Sequence, residues 1–350
     1  MINKDKKIVN LGFIGCGKIS EKHFSAISEH VKAGRVSIKS VCDIDYERSN
    51  AAAKLMDSKA YTDIDEMLKN EQLDIVTVAT PNGLHPDHIK KVASYKIDVI
   101  TDKPIATSLG QSNDVVNYCK NYGVRLFVVH QLRFNDCVWF LKKAIDQGRF
   151  GKIYMITSNV FWTRPQNYYD QTPWHGTKNM DGGAFLTQAS HYVDLMQWFV
   201  QEKPTMVFAN LKTLARKIET EDTGSAIFEW NKNIIGNLNV TMLTYPKNYE
   251  GSITILGEKG TVRIGGSGMN LIEHWQFADM QPYDEEIINN SYQSLSSYSP
   301  GHSRYYENVL QTLYGEAQAL VSGDEGIKSL KLLQAIYDSN DLRKPIFFDC

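Results

Sequence analysis

The first third of the chain alternates short apolar runs with amphipathic runs, and this alternation restricts the fold more than any other feature. The apolar run from Ile8 to Ile14 is followed by residues at helical spacing, and the same change recurs until about Phe134. Short apolar runs predict buried strands, and helical connections between them predict a parallel sheet. The sequence therefore predicts an α/β fold that begins with a doubly wound Rossmann domain over residues 1–133.

A glycine-rich turn, GCGKIS, follows the first predicted strand. Gly15 and Gly17 match the first two glycines of the G-x-G-x-x-G pattern, but the third position is Ser20. The first glycine permits a tight turn, and the second lets a pyrophosphate approach the backbone at a helix N-terminus. Three small residues after a strand are a weak signal alone. The βαβ context favours a dinucleotide-binding turn.

An acidic residue stands at the end of the second predicted strand. Asp43 lies 26 residues beyond Gly17, about where this pattern places a carboxylate on the adenosine ribose. The alternative is an ordinary loop acid at a strand end. A carboxylate here favours NAD over NADP, although Arg48 is near enough in sequence to leave NADP open.

Polar segments also follow the later strands, at the sheet edge where ligands of such folds bind. Lys103, in TDKP, can hydrogen-bond a substrate hydroxyl and stabilise developing alkoxide charge, whereas most lysines are simply solvated. Asp102 is a plausible ion partner for it. His85, in TPNGLH, either faces the cofactor or caps a turn. Gln131 belongs to the last such segment, HQLRF.

The second part of the chain has a different pattern of apolar and polar residues. Alternating strand patterns predict a mostly antiparallel open sheet with helices on one face, in an α+β domain over residues 134–350. Too few helices remain to cover the other face, which predicts a homodimer or homotetramer. Residues 284–303 are polar and are predicted to form a surface loop.

This second domain carries its own candidate residues. Residues 183–200 are predicted to form one helix, on which Thr187, His191 and either Asp194 or Leu195 share a face, with Gln188 beside them. His191 could accept a hydroxyl proton as hydride leaves, or could be a hydrogen-bonded structural histidine.

An aromatic segment lies between the second domain's first strand and this helix. It carries Arg164, His175 and Lys178. Arg164 suits a carboxylate or phosphate in a pocket, although the segment could equally be a loop that covers the sheet.

Composition excludes several other classes. The formal net charge of −2 gives no basic stripe for nucleic acid. We find no signal peptide and no membrane span, and no metal-ligand cluster is evident. The five cysteines are widely spaced without a C-x-x-C pair, which is typical of a reducing cytoplasm.

The motifs GFIGCGKIS, ATPNGLH, TDKP and DGGAFLTQASHYVD, in this order and spacing, resemble the Gfo/Idh/MocA oxidoreductases. The resemblance spans essentially the whole chain and implies NAD as the cofactor. The family's Glu-Lys-Pro motif falls on Asp102, Lys103 and Pro104, which implies that Lys103 is the active-site lysine, and the family's helix histidine falls on His191. The chain departs at Asp102, where the family has Glu, and at Thr187, where many polyol dehydrogenases have Asp.

Within the family, RPQNYYDQTPWHGT followed by TQASH resembles the sugar-nucleotide branch. That branch implies NAD-dependent oxidation of UDP-N-acetyl-D-glucosaminuronate at C3 for surface-polysaccharide biosynthesis. The alternatives are another sugar, such as a dTDP-ketosugar or a free polyol, and a non-catalytic NAD-binding regulatory protein.

The site assignments follow from the motifs and the resemblance together. Lys103 and His191 are the expected catalytic pair. The residues expected at the cofactor are Gly15, Gly17, Lys18, Ile19, Asp43, Thr80, Pro81, Asn82, His85, Asp102, Lys103 and Gln131. Those expected at the substrate are Lys103, Arg164, Tyr168, Thr187, Gln188 and His191.

Overall fold

The computed structural model describes residues 7–266, 268–293 and 301–348. The chain divides into two compact units. The first contains the chain up to Val129 together with His302–Ile327, and the second contains His130–Gly301 and the chain from Lys328 onward.

The first unit is built on a six-stranded parallel sheet whose order is β3-β2-β1-β4-β5-β6. Five helices connect its strands, and the order is that of a Rossmann fold, as predicted. The strands are β1 (Val9–Ile14), β2 (Val36–Cys42), β3 (Lys59–Tyr61), β4 (Ile75–Val78), β5 (Asp98–Thr101) and β6 (Leu126–Val128). The helices are α1 (Lys18–Lys32), α2 (Tyr46–Met56), α3 (Ile64–Asn70), α4 (His85–Ser94) and α5 (Leu109–Asn121).

The helices of this unit differ in how their N-termini are capped. Asp45, Asp63 and Ser108 cap α2, α3 and α5 by accepting hydrogen bonds from backbone N–H groups of the first turn. Such caps satisfy donors that a helix cannot pair internally. Helix α1 begins after Gly17, which has no side chain to cap it. Its first turn is therefore suited to an external anion.

A segment far along the chain completes the first unit. Within α11 (Gly301–Leu313), Tyr306 is 1 % exposed, and its hydroxyl lies 2.9 Å from His23 Nδ1 and 3.3 Å from Thr77 Oγ1. The predicted second domain, residues 134–350, includes residues 302–327, whereas these residues belong to the first unit, in which Tyr305 and Tyr306 are buried.

The second unit is built on an eight-stranded sheet whose order is β13-β12-β11-β7-β10-β9-β8-β14. Strands β7 and β10 are parallel, and every other adjacent pair is antiparallel, which confirms the predicted mostly antiparallel sheet. The strands are β7 (Ile153–Phe161), β8 (Pro204–Lys212), β9 (Thr223–Trp230), β10 (Ile234–Thr241), β11 (Glu250–Gly257), β12 (Gly260–Gly265), β13 (Leu271–Phe277) and β14 (Ile346–Phe347).

Two predictions for the helices of this part were wrong. The single helix expected over residues 183–200 is two helices, because Ala189 N bonds back to Ala184 O and Tyr192 N bonds to Ala189 O, which interrupts the regular ladder. The described part of the expected surface loop at 284–303 is helical, in α10 (Pro282–Gln293) and the start of α11; residues 294–300 lie outside the described chain. The remaining helices are α6 (Asp136–Asp146), α7 (Gln166–Asp170), α8 (Ala184–Thr187), α9 (Ser190–Val200), α10 (Pro282–Gln293) and α12 (Gly323–Leu342).

No helix within the described residues combines the length and the apolar character needed to cross a bilayer.

Candidate active site

The turn between β1 and α1 has the geometry of a phosphate-binding loop. Gly15 has a φ of +96°, and a Cβ there would lie 2.5 Å from the Ala79 carbonyl oxygen, so only glycine fits. A Cβ on Gly17 would meet nothing within 4 Å. The backbone at Gly17, Lys18 and Ile19 therefore offers an open approach to the positive end of α1. These residues fit the pyrophosphate of a dinucleotide.

Asp43 lies against this turn, at the end of β2. Its Oδ2 accepts a hydrogen bond from Cys16 N at 2.8 Å, and its Oδ1 accepts one from Asp45 N at 2.9 Å. These bonds fix the carboxylate beside the glycine turn and leave lone pairs for ribose hydroxyls. Arg48, which left NADP open, lies 3.3 Å from Asp45. The arrangement favours the ribose role over that of an ordinary loop acid.

Asp43→Ala is therefore expected to weaken NAD binding by roughly 10-fold or more, because hydrogen bonds to a charged group are lost. The variant should also reduce the ratio by which the protein binds NAD more tightly than NADP. Titration of NAD and NADP by protein fluorescence quenching measures both effects. Asp87→Asn, an exposed acid on α4, is the matched control. Unchanged affinities in Asp43→Ala would move the ribose role to another residue.

The loop after β4 contains Thr80, Pro81 and Asn82, of which Asn82 is buried. His85 follows them and is fully buried. Its Nε2 lies 2.8 Å from Thr80 O and its Nδ1 lies 2.7 Å from Pro104 O. His85 therefore joins the loop after β4 to the loop after β5. Of the two roles considered for His85, this geometry matches the structural one.

Lys103 is the second residue after β5, and the Lys103–Pro104 peptide bond is cis. Asp102 Oδ1 accepts a hydrogen bond from Lys103 N at 2.8 Å, and Oδ2 lies 3.9 Å from His23 Nε2. Burial would raise the pKa of Asp102, but His23 and Lys103 outweigh it and hold that pKa well below its usual value. Asp102 is therefore an ionised carboxylate that fixes the backbone on which Lys103 stands.

In the second unit, His191 lies at the start of α9 and is 8 % exposed. Gln131 Nε2 lies 3.2 Å from His191 Nε2, so Gln131, predicted at the cofactor, contacts the predicted proton acceptor. The His130 ring packs edge-on against His191 with centroids 5.8 Å apart. These neighbours restrict the orientation of the His191 ring.

Asp194 was expected to share a helix face with His191, and both residues contact His130. Asp194 is buried in an ion pair with Arg133, at 2.7 Å and 2.8 Å, and its Oδ2 lies 3.6 Å from His130 Nδ1. Burial would raise the pKa of Asp194, but Arg133 and His130 lower it overall. Asp194 therefore supports His130, and neither His130 nor Arg133 was identified from sequence.

Three predicted substrate residues come together around Arg164. Its guanidinium lies 5.3 Å from the Trp162 ring centroid and 5.4 Å from that of Tyr168, and Nη2 donates to Gln188 Oε1 at 2.8 Å. Nη1 donates to Thr163 O at 2.8 Å. His175 stacks on Tyr168 at 4.5 Å, whereas the Lys178 side chain is exposed.

The acceptors around Arg164 are all neutral. Within the described part of the chain, the structure records no carboxylate in an ion pair with it. A half-buried guanidinium between aromatic rings, bonded only to neutral groups, is suited to an incoming anion.

The other predicted substrate residue, Thr187, ends α8. Its Oγ1 donates to Asp181, lying 2.7 Å from Oδ1 and 2.8 Å from the backbone O. Asp181 is 5 % exposed and was not identified from sequence. No local pattern predicts its role, because its partner Thr187 is six residues further along the chain.

Gly183, which directly precedes α8, lies against Glu221. Glu221 Oε1 accepts bonds from Phe185 N at 2.8 Å and Tyr337 Oη at 2.9 Å, and burial raises the pKa of Glu221 to about 7. A side chain at Gly183 would meet this carboxylate. Glu221 and Tyr337 thus hold the start of the short helix that ends in Thr187.

Among the residues described, no group of three or more His, Cys, Asp or Glu side chains is placed to hold a metal ion.

Comparisons with known proteins agree with this architecture. Residues 9–130 match the model of the Gfo/Idh/MocA oxidoreductase family for its NAD-binding Rossmann fold, and residues 142–347 match the model for its C-terminal alpha/beta domain. An inositol 2-dehydrogenase of Rhizobium meliloti is 25% identical over 336 residues, covering 93% of this chain and 95% of its own length.

Two solved structures are much more similar. The WlbA dehydrogenase from Bordetella pertussis, in complex with NADH and UDP-GlcNAcA, is 46% identical with a TM-score of 0.94, and 99% of each chain is covered. The WlbA dehydrogenase from Chromobacterium violaceum, in a complex with the same two ligands, is 43% identical with a TM-score of 0.92, covering 99% of this chain and 97% of its own.

Proposed function

The chain belongs to the Gfo/Idh/MocA oxidoreductase family, and we propose that it oxidises C3 of UDP-N-acetyl-D-glucosaminuronate (UDP-GlcNAcA) to the 3-keto sugar with NAD. The family membership and the NAD-binding fold predicted from the sequence are thereby confirmed. The substrate rests on the two similar dehydrogenases crystallised with UDP-GlcNAcA and on the surroundings of Arg164.

The observation that carries the substrate class is the neutral surroundings of Arg164. A guanidinium can form two parallel hydrogen bonds with a planar carboxylate. The uronate has such a carboxylate, and a neutral hexose does not. Gln188 Oε1 accepts a hydrogen bond from Arg164 Nη2, and a charged acceptor on the substrate can replace Gln188 in that bond. Gln188 and Thr187 are neutral, so neither opposes the uronate.

The reaction moves a hydride from C3 and a proton from the C3 hydroxyl, leaving a carbonyl. NAD, when bound, accepts the hydride. We assign Lys103 to polarise the hydroxyl oxygen and stabilise its developing negative charge, and His191 to accept the proton. Asp102 fixes the Lys103 backbone, and Gln131 and His130 orient the His191 ring.

A panel of substrates tests this function. NADH formation is measured with UDP-GlcNAcA, UDP-N-acetylglucosamine, UDP-glucuronate and myo-inositol, each with and without a 2-ketoacid acceptor. The acceptor is included because tightly held NADH would stop the enzyme after one turnover. UDP-GlcNAcA should give the highest kcat/KM. Activity on myo-inositol alone would overturn the nucleotide-sugar assignment.

The Arg164→Gln variant should raise the KM for UDP-GlcNAcA by roughly 10- to 100-fold, the scale of one lost charge-assisted hydrogen bond, and should change the KM for UDP-N-acetylglucosamine little. Steady-state kinetics on both sugars measure this difference. Lys217→Gln controls for loss of charge alone, because Lys217 is exposed and its backbone N donates to Gln166 Oε1, near Arg164 in the chain. Equal effects on the two sugars would remove the carboxylate role of Arg164.

We also propose that a second copy covers the outer face of the second unit's sheet, giving a homodimer or homotetramer. Phe208, Ile227 and Ile235 are 39–47 % exposed there, and Phe208 and Ile227 are register partners. Apolar side chains of this size favour burial at an interface. Light scattering at micromolar concentration tests this oligomeric state, and a monomer would contradict it.

We assign the reaction to the cytoplasm, where nucleotide sugars and NAD are supplied.

A further inference from the structure

The Arg216 side chain is bonded to the segment that carries Arg164. Arg216 lies in the connection between β8 and β9 and is partly buried. Its Nε donates to the backbone O of Arg164 at 2.7 Å. This bond holds the Arg216 guanidinium against the backbone of the residue that we assign to the carboxylate of the substrate.

The backbone that carries Arg216 is itself fixed by two side chains. Asp222 is fully buried, and its carboxylate accepts hydrogen bonds from the backbone N–H groups of residues 214–216, each at 2.9 Å. The next residue, Lys217, donates its backbone N–H to Gln166 Oε1 at 2.8 Å. The Arg216 side chain therefore starts from a defined backbone, which reduces the ordering cost when a ligand binds.

Arg216 carries a positive charge that no acid offsets within the described chain. Among the residues that the structure describes, no carboxylate forms an ion pair with Arg216, and no hydrogen bond of its Nη1 or Nη2 is recorded. The nearby acids are bonded elsewhere, Asp222 to the turn and Glu219 Oε2 to Lys178 N at 2.9 Å. Nη1 and Nη2 can therefore donate to the oxygens of an incoming anion.

Arg164 and Arg216 together place two such charges in one part of the second unit. In the described chain, Arg164 likewise donates only to neutral groups. Two cations without acidic partners favour a ligand that has more than one negative group. UDP-GlcNAcA has a carboxylate and a diphosphate on the same sugar ring. With the carboxylate assigned to Arg164, the diphosphate requires a second cation.

Building on the proposed function, we propose that Arg216 binds the diphosphate of the nucleotide sugar. Its planar guanidinium donates to phosphate oxygens, and its charge offsets theirs. The two arginines then have separate roles. Arg164 selects a sugar that has a carboxylate, and Arg216 selects a sugar that is linked to a nucleotide over a free sugar or polyol.

UDP is the probe for this role, because it has the diphosphate but no sugar carboxylate. Its dissociation constant is measured by calorimetry on the NADH-bound enzyme. Arg216→Gln should weaken UDP binding by roughly 10- to 100-fold, the scale of lost hydrogen bonds between charged groups. Arg164→Gln should stay within about 3-fold of the wild-type protein, and so should Lys217→Gln, the matched control on the neighbouring exposed lysine.

Two sugars separate a diphosphate contact from an effect that passes through Arg164. UDP-GlcNAcA and UDP-N-acetylglucosamine have the same diphosphate, so Arg216→Gln should weaken the binding of both by the same factor, within about 3-fold. If Arg216 only held the backbone of Arg164, its loss would weaken UDP-GlcNAcA alone, and that result would overturn the proposal.

Arg216→Lys keeps the positive charge and should bind UDP about 3-fold or more tightly than Arg216→Gln does, because lysine binds phosphate as a point charge. Equal UDP affinities in these two variants would contradict a role for the charge. Unchanged UDP binding in Arg216→Gln would overturn the proposal, as would equal losses in Arg164→Gln and Arg216→Gln. Unchanged NADH affinity verifies that each variant is folded.

These binding measurements do not depend on turnover, so the two proposals can fail separately. A protein that binds UDP through Arg216 but does not oxidise UDP-GlcNAcA would contradict the proposed function and not the role of Arg216. Normal oxidation of UDP-GlcNAcA, together with unchanged UDP binding in Arg216→Gln, would contradict only the role of Arg216.

Discussion

Replacing Lys103 by methionine is expected to lower kcat by roughly 100-fold or more, the cost of removing one preorganised donor to a developing oxyanion. Methionine keeps the length and much of the apolar stem of lysine but carries neither charge nor N–H donor. The Lys103 backbone is held by Asp102 at 2.8 Å, and that bond does not depend on the lysine side chain. The loss should therefore fall on the chemical step.

Single-turnover formation of NADH, followed by its fluorescence, measures the effect on Lys103→Met without interference from product release. Lys120→Met is the control, because Lys120 is an exposed lysine of the same unit and pairs only at the surface with Asp324. It should retain wild-type rates. Near-normal turnover in Lys103→Met would make Lys103 one of the many lysines that serve only as solvated surface charges.

His191→Asn should also lower turnover by roughly 100-fold or more, the scale of general acid–base catalysis. Asparagine can keep a hydrogen bond to Gln131 but cannot take up a proton at neutral pH. NAD affinity should change little, since the residues assigned to the dinucleotide are mainly in the first unit. Turnover and NAD titration on the same preparation separate the two effects.

The control for His191→Asn is His274→Asn, an exposed histidine on β13. It should leave both turnover and NAD affinity unchanged. If His191→Asn retained near-normal turnover, His191 would be the hydrogen-bonded structural histidine that was considered as the alternative, and another group would accept the proton.

The parts of the structure that could be predicted are those specified by residues close together in the chain. The strand, glycine turn and helix around Gly15 occupy one short stretch, and the positive φ at Gly15 follows from a local steric need. Repeated strand–helix alternation is compatible with few strand orders in the sheet, so the Rossmann order could also be predicted. Lys103 could be predicted as a site residue because it lies just beyond the end of an apolar strand.

The parts that could not be predicted depend on distant pairs. His23 and Tyr306 are 283 residues apart, and no local pattern links them. Thr187 was expected on a continuous helix, but the helix is interrupted after it at Ala189, and its hydroxyl donates to Asp181, which precedes α8. Similarly, α10 looked like a polar loop, yet its Asp284 is buried because Arg149 and Trp275 bond it at 2.6–2.8 Å. Polar composition does not reveal a polar group that is buried with its partner.

The return of residues 302–327 to the first unit has a consequence for synthesis on the ribosome. The chain emerges from its N-terminus, so all strands of the first sheet exist long before Tyr306 is made. Until then, the surface around His23 and Thr77 lacks its buried aromatic cover. The nucleotide-binding half therefore reaches its final form only after strands β7 to β13 have been translated. A fragment ending at Val129 would leave that surface exposed and would be prone to aggregate.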